Sequence, residues 1–231
     1  MDDHASLARS GAARFLIGPL AALCLAVPLL AGPGERPQER KEAEKVAEKV
    51  EKALATAHHQ AKEQREAFRH FREEAAKYAE LHAKQLAKLG SRVPADAQAS
   101  VAAQKALAHA IAADRAKARQ GDIFRPEVQP LFRQLIAEQL KGPDALAARK
   151  AVLEGNPEHE PGAVPVVVRV NREYPLGAPL STVPPSVLLT LPPLPAPLQY
   201  RFVGRDLILF DSVADLIVDF LPAAAPDLAI K

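Results

Sequence analysis

Cysteine is all but missing from this chain, and tryptophan is missing altogether: Cys24 stands alone among 231 residues. A single thiol excludes an intramolecular disulfide. Because Cys24 sits inside the one long apolar run, removal of that run would also exclude thiol catalysis. Aromatic residues make up only 5%, so no stacking platform for a bulky ligand is advertised. Charge of one sign is lacking too, with 30 basic and 28 acidic residues giving a net +2. A chain so balanced has no strong field toward nucleic acid, and no nucleic-acid partner is expected. Motifs of nucleophilic catalysis are absent: there is no Gly-x-Ser-x-Gly and no glycine-rich phosphate loop. Ser181 and Ser186 are followed by no histidine, the last being His159. No catalytic residue is therefore expected.

The only long uncharged stretch is FLIGPLAALCLAVPLLA at residues 15–31, behind Arg9 and Arg14 and before Gly32-Pro33-Gly34. Basic start, apolar segment and Gly/Pro break are the order of an export signal. At 17 residues, with Pro19 and Pro28 inside, it falls short of the roughly 20 that span a bilayer comfortably. We read residues 1–31 as a signal peptide or a retained membrane anchor, and the protein as exported to the periplasm or cell envelope. Membrane contact is expected only through residues 15–31, if they are uncleaved. Cys24, preceded by Leu23 in mid-run, reads as a small apolar residue rather than a lipid attachment point.

Proline divides the remainder. None occurs between residues 38 and 93, whereas 13 of the 21 follow Gly155. The first part can hold a long helix and the last cannot. Residues 39–89 carry 12 basic and 10 acidic side chains without Gly or Pro. Two heptad series run through them. Ala47, Leu54, Ala61, Phe68, Ala75, His82 and Leu89 form one; Ala43, Val50, Ala57, Gln64, Phe71, Tyr78 and Gln85 form the other. This pattern predicts a coiled-coil-like helix whose alanine-rich seam needs a partner, either a second copy or the helices that follow. Glu48 to Lys52, Glu73 to Lys77 and Glu80 to Lys84 are expected to support it, at about 0.2–0.5 kcal/mol each.

Further helices are predicted over 95–119, from Pro126 to Gly142, and from Pro143-Asp144 to Gly155, their short links favouring a bundle. Beyond, Val164–Val170 reads as a strand and Ser186–Leu189 as one helical turn. Gln199–Val203, Gly204-Arg205 and Leu207–Phe210 form a hairpin, and Leu216–Phe220 a further strand. Pro192-Pro193-Leu194-Pro195 is expected to cross in extended form as a stiff connector. The fold class is α+β: signal or anchor at 1–31, linker at 32–38, long helix at 39–90, helical region at 91–155, small antiparallel β unit with Pro-rich loops at 156–222, and tail at 223–231.

Two clusters carry potential chemistry. His59, Glu63, Glu66 and His70 fall at i, i+4, i+7 and i+11, so imidazole and carboxylate share one helical face on which a divalent metal could be held. That face lies opposite the seam, where charge is expected anyway. His82, on the seam, reads as a tolerated polar interruption; His58 and His159 add loose metal affinity at most. Asp206, Asp211, Asp215 and Asp219 are expected at turns and on the wet strand face.

From Gln120 to Pro222 the chain carries GDIFRPEVQPLFRQLI and then YPLGAPLSTVPPSVLLTLPPLPAPLQYRFVGRDLILFDSVADLIVDFLP. This stretch resembles a family of uncharacterised exported proteins of Gram-negative bacteria. The resemblance covers nearly half the chain and implies an envelope location and a small α+β unit, with no catalytic residue. The closing hairpin and LIVD strand are also similar to small periplasmic modules of the nickel/cobalt-homeostasis type. The function expected is that of a non-catalytic structural or interaction protein, self-associating or binding an envelope partner through the long helix. The alternative is a periplasmic protein binding a divalent metal or small ligand.

Overall fold

The structure, a computed structural model, describes residues 37–90, 96–142 and 145–228. The expected signal or anchor with Cys24, and the Pro143-Asp144 helix start, lie outside the described residues. Two compact units result, one ending at Ala53 and one running from Leu54. The first helix, α1 (Pro37–Leu89), is the long helix expected from 39–89. It is followed by α2 (Ala97–Asp114), α3 (Gln129–Leu140), α4 (Leu146–Leu153), β1 (Arg172–Glu173), α5 (Pro185–Leu188), β2 (Leu198–Val203), β3 (Asp206–Asp211) and β4 (Leu216–Leu221). No helix among the described residues is long and apolar enough to cross a membrane.

In the second unit the strands form one antiparallel sheet of order β1-β4-β3-β2. Its three long strands are the meander read from the alternating sequence. Gly204 turns the first hairpin at φ 57°, the positive value that a two-residue mirror-image turn demands. One face of the sheet packs on the helices: Leu198, Tyr200, Phe202, Leu207, Leu209 and Val218 join Phe71, Ile111, Phe124, Phe132, Ile136 and Val152 in one cluster. Phe132 is its centre, 4.8 Å from the Phe71 ring and 5.0 Å edge-on from Phe124. The other face carries Ile208, Phe210, Ile217 and Tyr174, with Val166, Val168, Ala178 and Leu180 laid over them.

That second layer corrects two expectations. Val164–Val170 is not a strand; it runs without ladder pairing and uses Val166 and Val168 as a cover. Pro165, which has no N–H to donate, interrupts any ladder there, and the sheet edge goes instead to the two residues of β1. With both faces covered the sheet has no wet side, so Asp211 and Asp219, expected on solvent, are 0% exposed. A register shift between Leu209 and Phe210 adds a residue to β4, which breaks the alternation from which Asp219 was placed.

The helix ends also differ. Expected to reach Arg119, α2 stops at Asp114, where the backbone of Arg115 leaves helical geometry at φ -108° and ψ 28°. Its start is capped by Asp96, whose carboxylate accepts the Ala99 N–H at 2.8 Å. Pro130 rather than Pro126 occupies the first turn of α3; Pro126 belongs to the preceding turn, where the Arg125 carbonyl accepts the N–H of Val128 and Gln129. On α1, Glu73 pairs with Arg69, and Lys77 with Glu74, in place of the expected Glu73–Lys77 bridge.

Candidate functional site

The heptad series of α1 divides into two stretches. From Phe68 to Gln85 its residues are covered: Phe71, Ala75, Tyr78, His82 and Gln85 are buried and Phe68 half-buried, with Ala67 and Leu81 beside them, while Leu89 at the end of the series is exposed again. Residues 41–60 are exposed without exception. Val46 is 59% exposed, Val50 50% and Leu54 52%. These three, four residues apart, leave an apolar stripe in water, and burying a side chain of this kind stabilises by about 1.5–3 kcal/mol.

Where the seam is covered, its polar members have partners. The Tyr78 hydroxyl donates to Asp211 Oδ2 at 2.6 Å, and His82 Nδ1 lies 2.6 Å from the same oxygen. Asp211 Oδ1 accepts the backbone N–H of Val213 and Ala214, each at 2.9 Å. The Arg115 guanidinium stands 5.1 Å over the Tyr78 ring and donates to Asn171 Oδ1 and the Val218 carbonyl. Gln85 donates to Asp114. His82 is thus a partnered core histidine, 5% exposed. Tyrosine, histidine and aspartate are residue types of acid–base catalysis, but both Asp211 oxygens are occupied from inside the fold. A substrate would have to displace the packing to reach them.

A second buried carboxylate is Asp219. Its Oδ1 accepts the N–H of Gly121 and Phe220, and its Oδ2 those of Ile123 and Phe124, all at 2.8 Å. Burial pushes this carboxyl above the usual range, and the donors pull it back without winning. Asp206 and Asp211 do take the turn role expected of them, Asp206 accepting the Ala223 N–H and Asp211 those of Val213 and Ala214, each at 2.9 Å.

The four residues of the metal stripe do not converge. His59 Nε2 lies 3.2 Å from Glu63 Oε1 on open surface, whereas His70 Nδ1 lies 3.9 Å from Glu127 Oε1. Glu63, Glu66 and His70 do share with Glu127 an open cleft of about 630 Å³. Among the described residues no group of three or more His, Cys, Asp or Glu is arranged to hold a metal ion. A larger cleft, about 690 Å³, lies between α2 and the β1–β4 edge, where His109 Nε2 stands 3.0 Å from Glu173 Oε1. The proline run is packed rather than presented: Leu194 joins the core, and the Tyr200 hydroxyl donates to the Pro192 carbonyl at 2.9 Å.

Burial raises all three tyrosines. Tyr78, beside the Asp211 charge, and Tyr200 go well above the ordinary range, and Tyr174 is pushed up to about 12. With tryptophan absent, the phenolate absorbance band reports these rings alone. The folded protein is expected to develop no phenolate signal at pH 10, whereas in denaturant half should titrate near pH ~10. In sign, the fold favours the protonated rings. Their contribution is intact below the unfolded value of about 10 and lost as pH rises through the raised values. An ordinary midpoint in the folded protein would mean the rings are solvated.

The buried network escaped the sequence reading. Its signal was there: Tyr78, His82 and Gln85 put polar heads at three successive seam positions, which marks a seam facing a polar partner rather than another apolar helix. No protein family, curated protein or solved structure matches the chain.

Proposed function

We propose that this is an exported cell-envelope protein of the structural or interaction kind, without catalysis, that works by association through the first half of α1. The exposure of Val46, Val50 and Leu54 on one helical stripe carries this reading. An exposed helix of alanine and charge is marginal alone, and a filled seam would add what its own propensity lacks. The apolar run at 15–31 and the resemblance over 120–222 support the envelope location.

A second reading is favoured by one cleft: Glu63, Glu66 and His70 line it with Glu127, and a divalent cation that drew them together with His59 would be held there. Native mass spectrometry of the exported chain, with and without chelator, separates the two. A dimer or larger oligomer indifferent to chelator is the expected result. A monomer carrying one divalent ion, lost on His70→Ala, would replace it with metal binding.

A further inference from the structure

Resting on the reading of α1 as an association element, we propose that the uncovered seam is filled by a second copy of this chain, laid antiparallel. In heptad terms Ala47, Leu54 and Ala61 are a positions, and Val50, Ala57 and Gln64 are d positions.

Coverage decides the direction first. From Ala67 the chain's own core residues occupy the seam. Two parallel helices would bring both covered stretches to one level, where each would meet the other's packing. An antiparallel pair needs the seam only as far as Gln64, and the covered stretches come to opposite ends. Six layers between Ala47 and Gln64 then span about 26 Å.

Side-chain volume decides the same way. Antiparallel layers set Leu54 against Ala57 and Val50 against Ala61 of the other copy, so each large residue meets a small one. Parallel layers would stack Leu54 on Leu54 and Val50 on Val50 between Ala–Ala layers that leave gaps. Charge agrees in the same register. The e positions are Glu44 and Glu51 in the first half, then His58 and Arg65 in the second. In an antiparallel pair e faces e, bringing Glu44 to Arg65 and Glu51 to His58 of the second copy. Parallel pairing would match these with the g positions Val46, Ala53 and Gln60, which carry no charge.

Cross-linking of the full chain tests this. With Cys24→Ser as background, single variants Val50→Cys and Ala61→Cys are mixed, one of them tagged, and oxidised mildly. The expected product is the mixed disulfide, because Val50 and Ala61 share a layer. Two Val50→Cys sites would lie eleven residues apart, about 16 Å along the axis and beyond disulfide reach. Self-linking of Val50→Cys would overturn the antiparallel direction while leaving association intact. An oligomer by native mass spectrometry that forms neither link would place the contact elsewhere and overturn the inference. A monomer would remove the functional reading beneath it as well. Independently, Glu44→Arg should weaken the dimer roughly five-fold, and adding Arg65→Glu in the same chain should restore it. Failure of that rescue would sink the register.

Discussion

Replacing Asp219 with alanine should cost the second unit about 4 kcal/mol of unfolding free energy, a large part of the 5–15 kcal/mol usual for a domain. The carboxylate is fully buried and accepts three N–H groups from residues 121–124, on a loop 95 to 98 positions earlier in the chain. Truncation leaves those donors in a dry interior, each worth about 1–3 kcal/mol when orphaned. The N–H groups of Ile123 and Phe124 stay dry in the variant, since both are core residues, whereas that of Gly121 is only part-buried. Asp219→Asn keeps one oxygen but turns an amide donor toward N–H groups, so a loss of roughly 2–3 kcal/mol is expected. Urea unfolding followed by far-ultraviolet circular dichroism measures both. If Asp219→Ala stayed within about 0.5 kcal/mol of wild type, the loop would be held by its apolar contacts alone.

Asp211→Ala should be comparably severe, at about 4 kcal/mol, by a different route. Here the carboxylate ties α1 to the end of β3 through Tyr78 and His82 while closing the turn at Val213 and Ala214. Removing it strands a hydroxyl, an imidazole and two backbone donors. Tyr78→Phe removes only one partner and should cost about 1–2 kcal/mol. Combined in one chain, the two changes should cost less than their sum, because the second finds its partner already gone. Hydrogen exchange gives the local readout: in Asp211→Ala, amides of α1 from Phe71 to Gln85 should lose protection ahead of those in α3. Equal loss in both would mean the unit opens only as a whole, with no separate clamp on α1.

Much of this architecture was legible because local and tertiary demands agree. A run of 51 residues, 39–89, without Gly or Pro has no competing solution to a helix, and β2, β3 and β4 alternate around turn residues in the ordinary way. The misreadings come from contacts between distant segments. Val164–Val170 has the composition of a strand, yet where it is used depends on Tyr174, Ile208 and Phe210, which no local window contains. Asp211 and Asp219 look solvent-facing only if the sheet has a wet side. The second layer and the bulge in β4 remove that premise. Of the candidate interface, the heptad spacing was readable in advance. Which part of it the chain would cover itself was not, since that depends on where α3 and residues 121–124 come to rest.

The order β1-β4-β3-β2 puts the last strand among the described residues inside the sheet, and it is β4 that carries Asp219. During synthesis the sheet therefore cannot close, nor can the 121–124 loop settle, until residues 216–221 have emerged. Closure by such distant pairings is slow, because loop entropy must be met before the contacts form. A copy truncated before Leu216 would keep the β2–β3 hairpin and Asp211, but it would lose the strand that joins β1 to β3 and, with it, the carboxylate that holds residues 121–124.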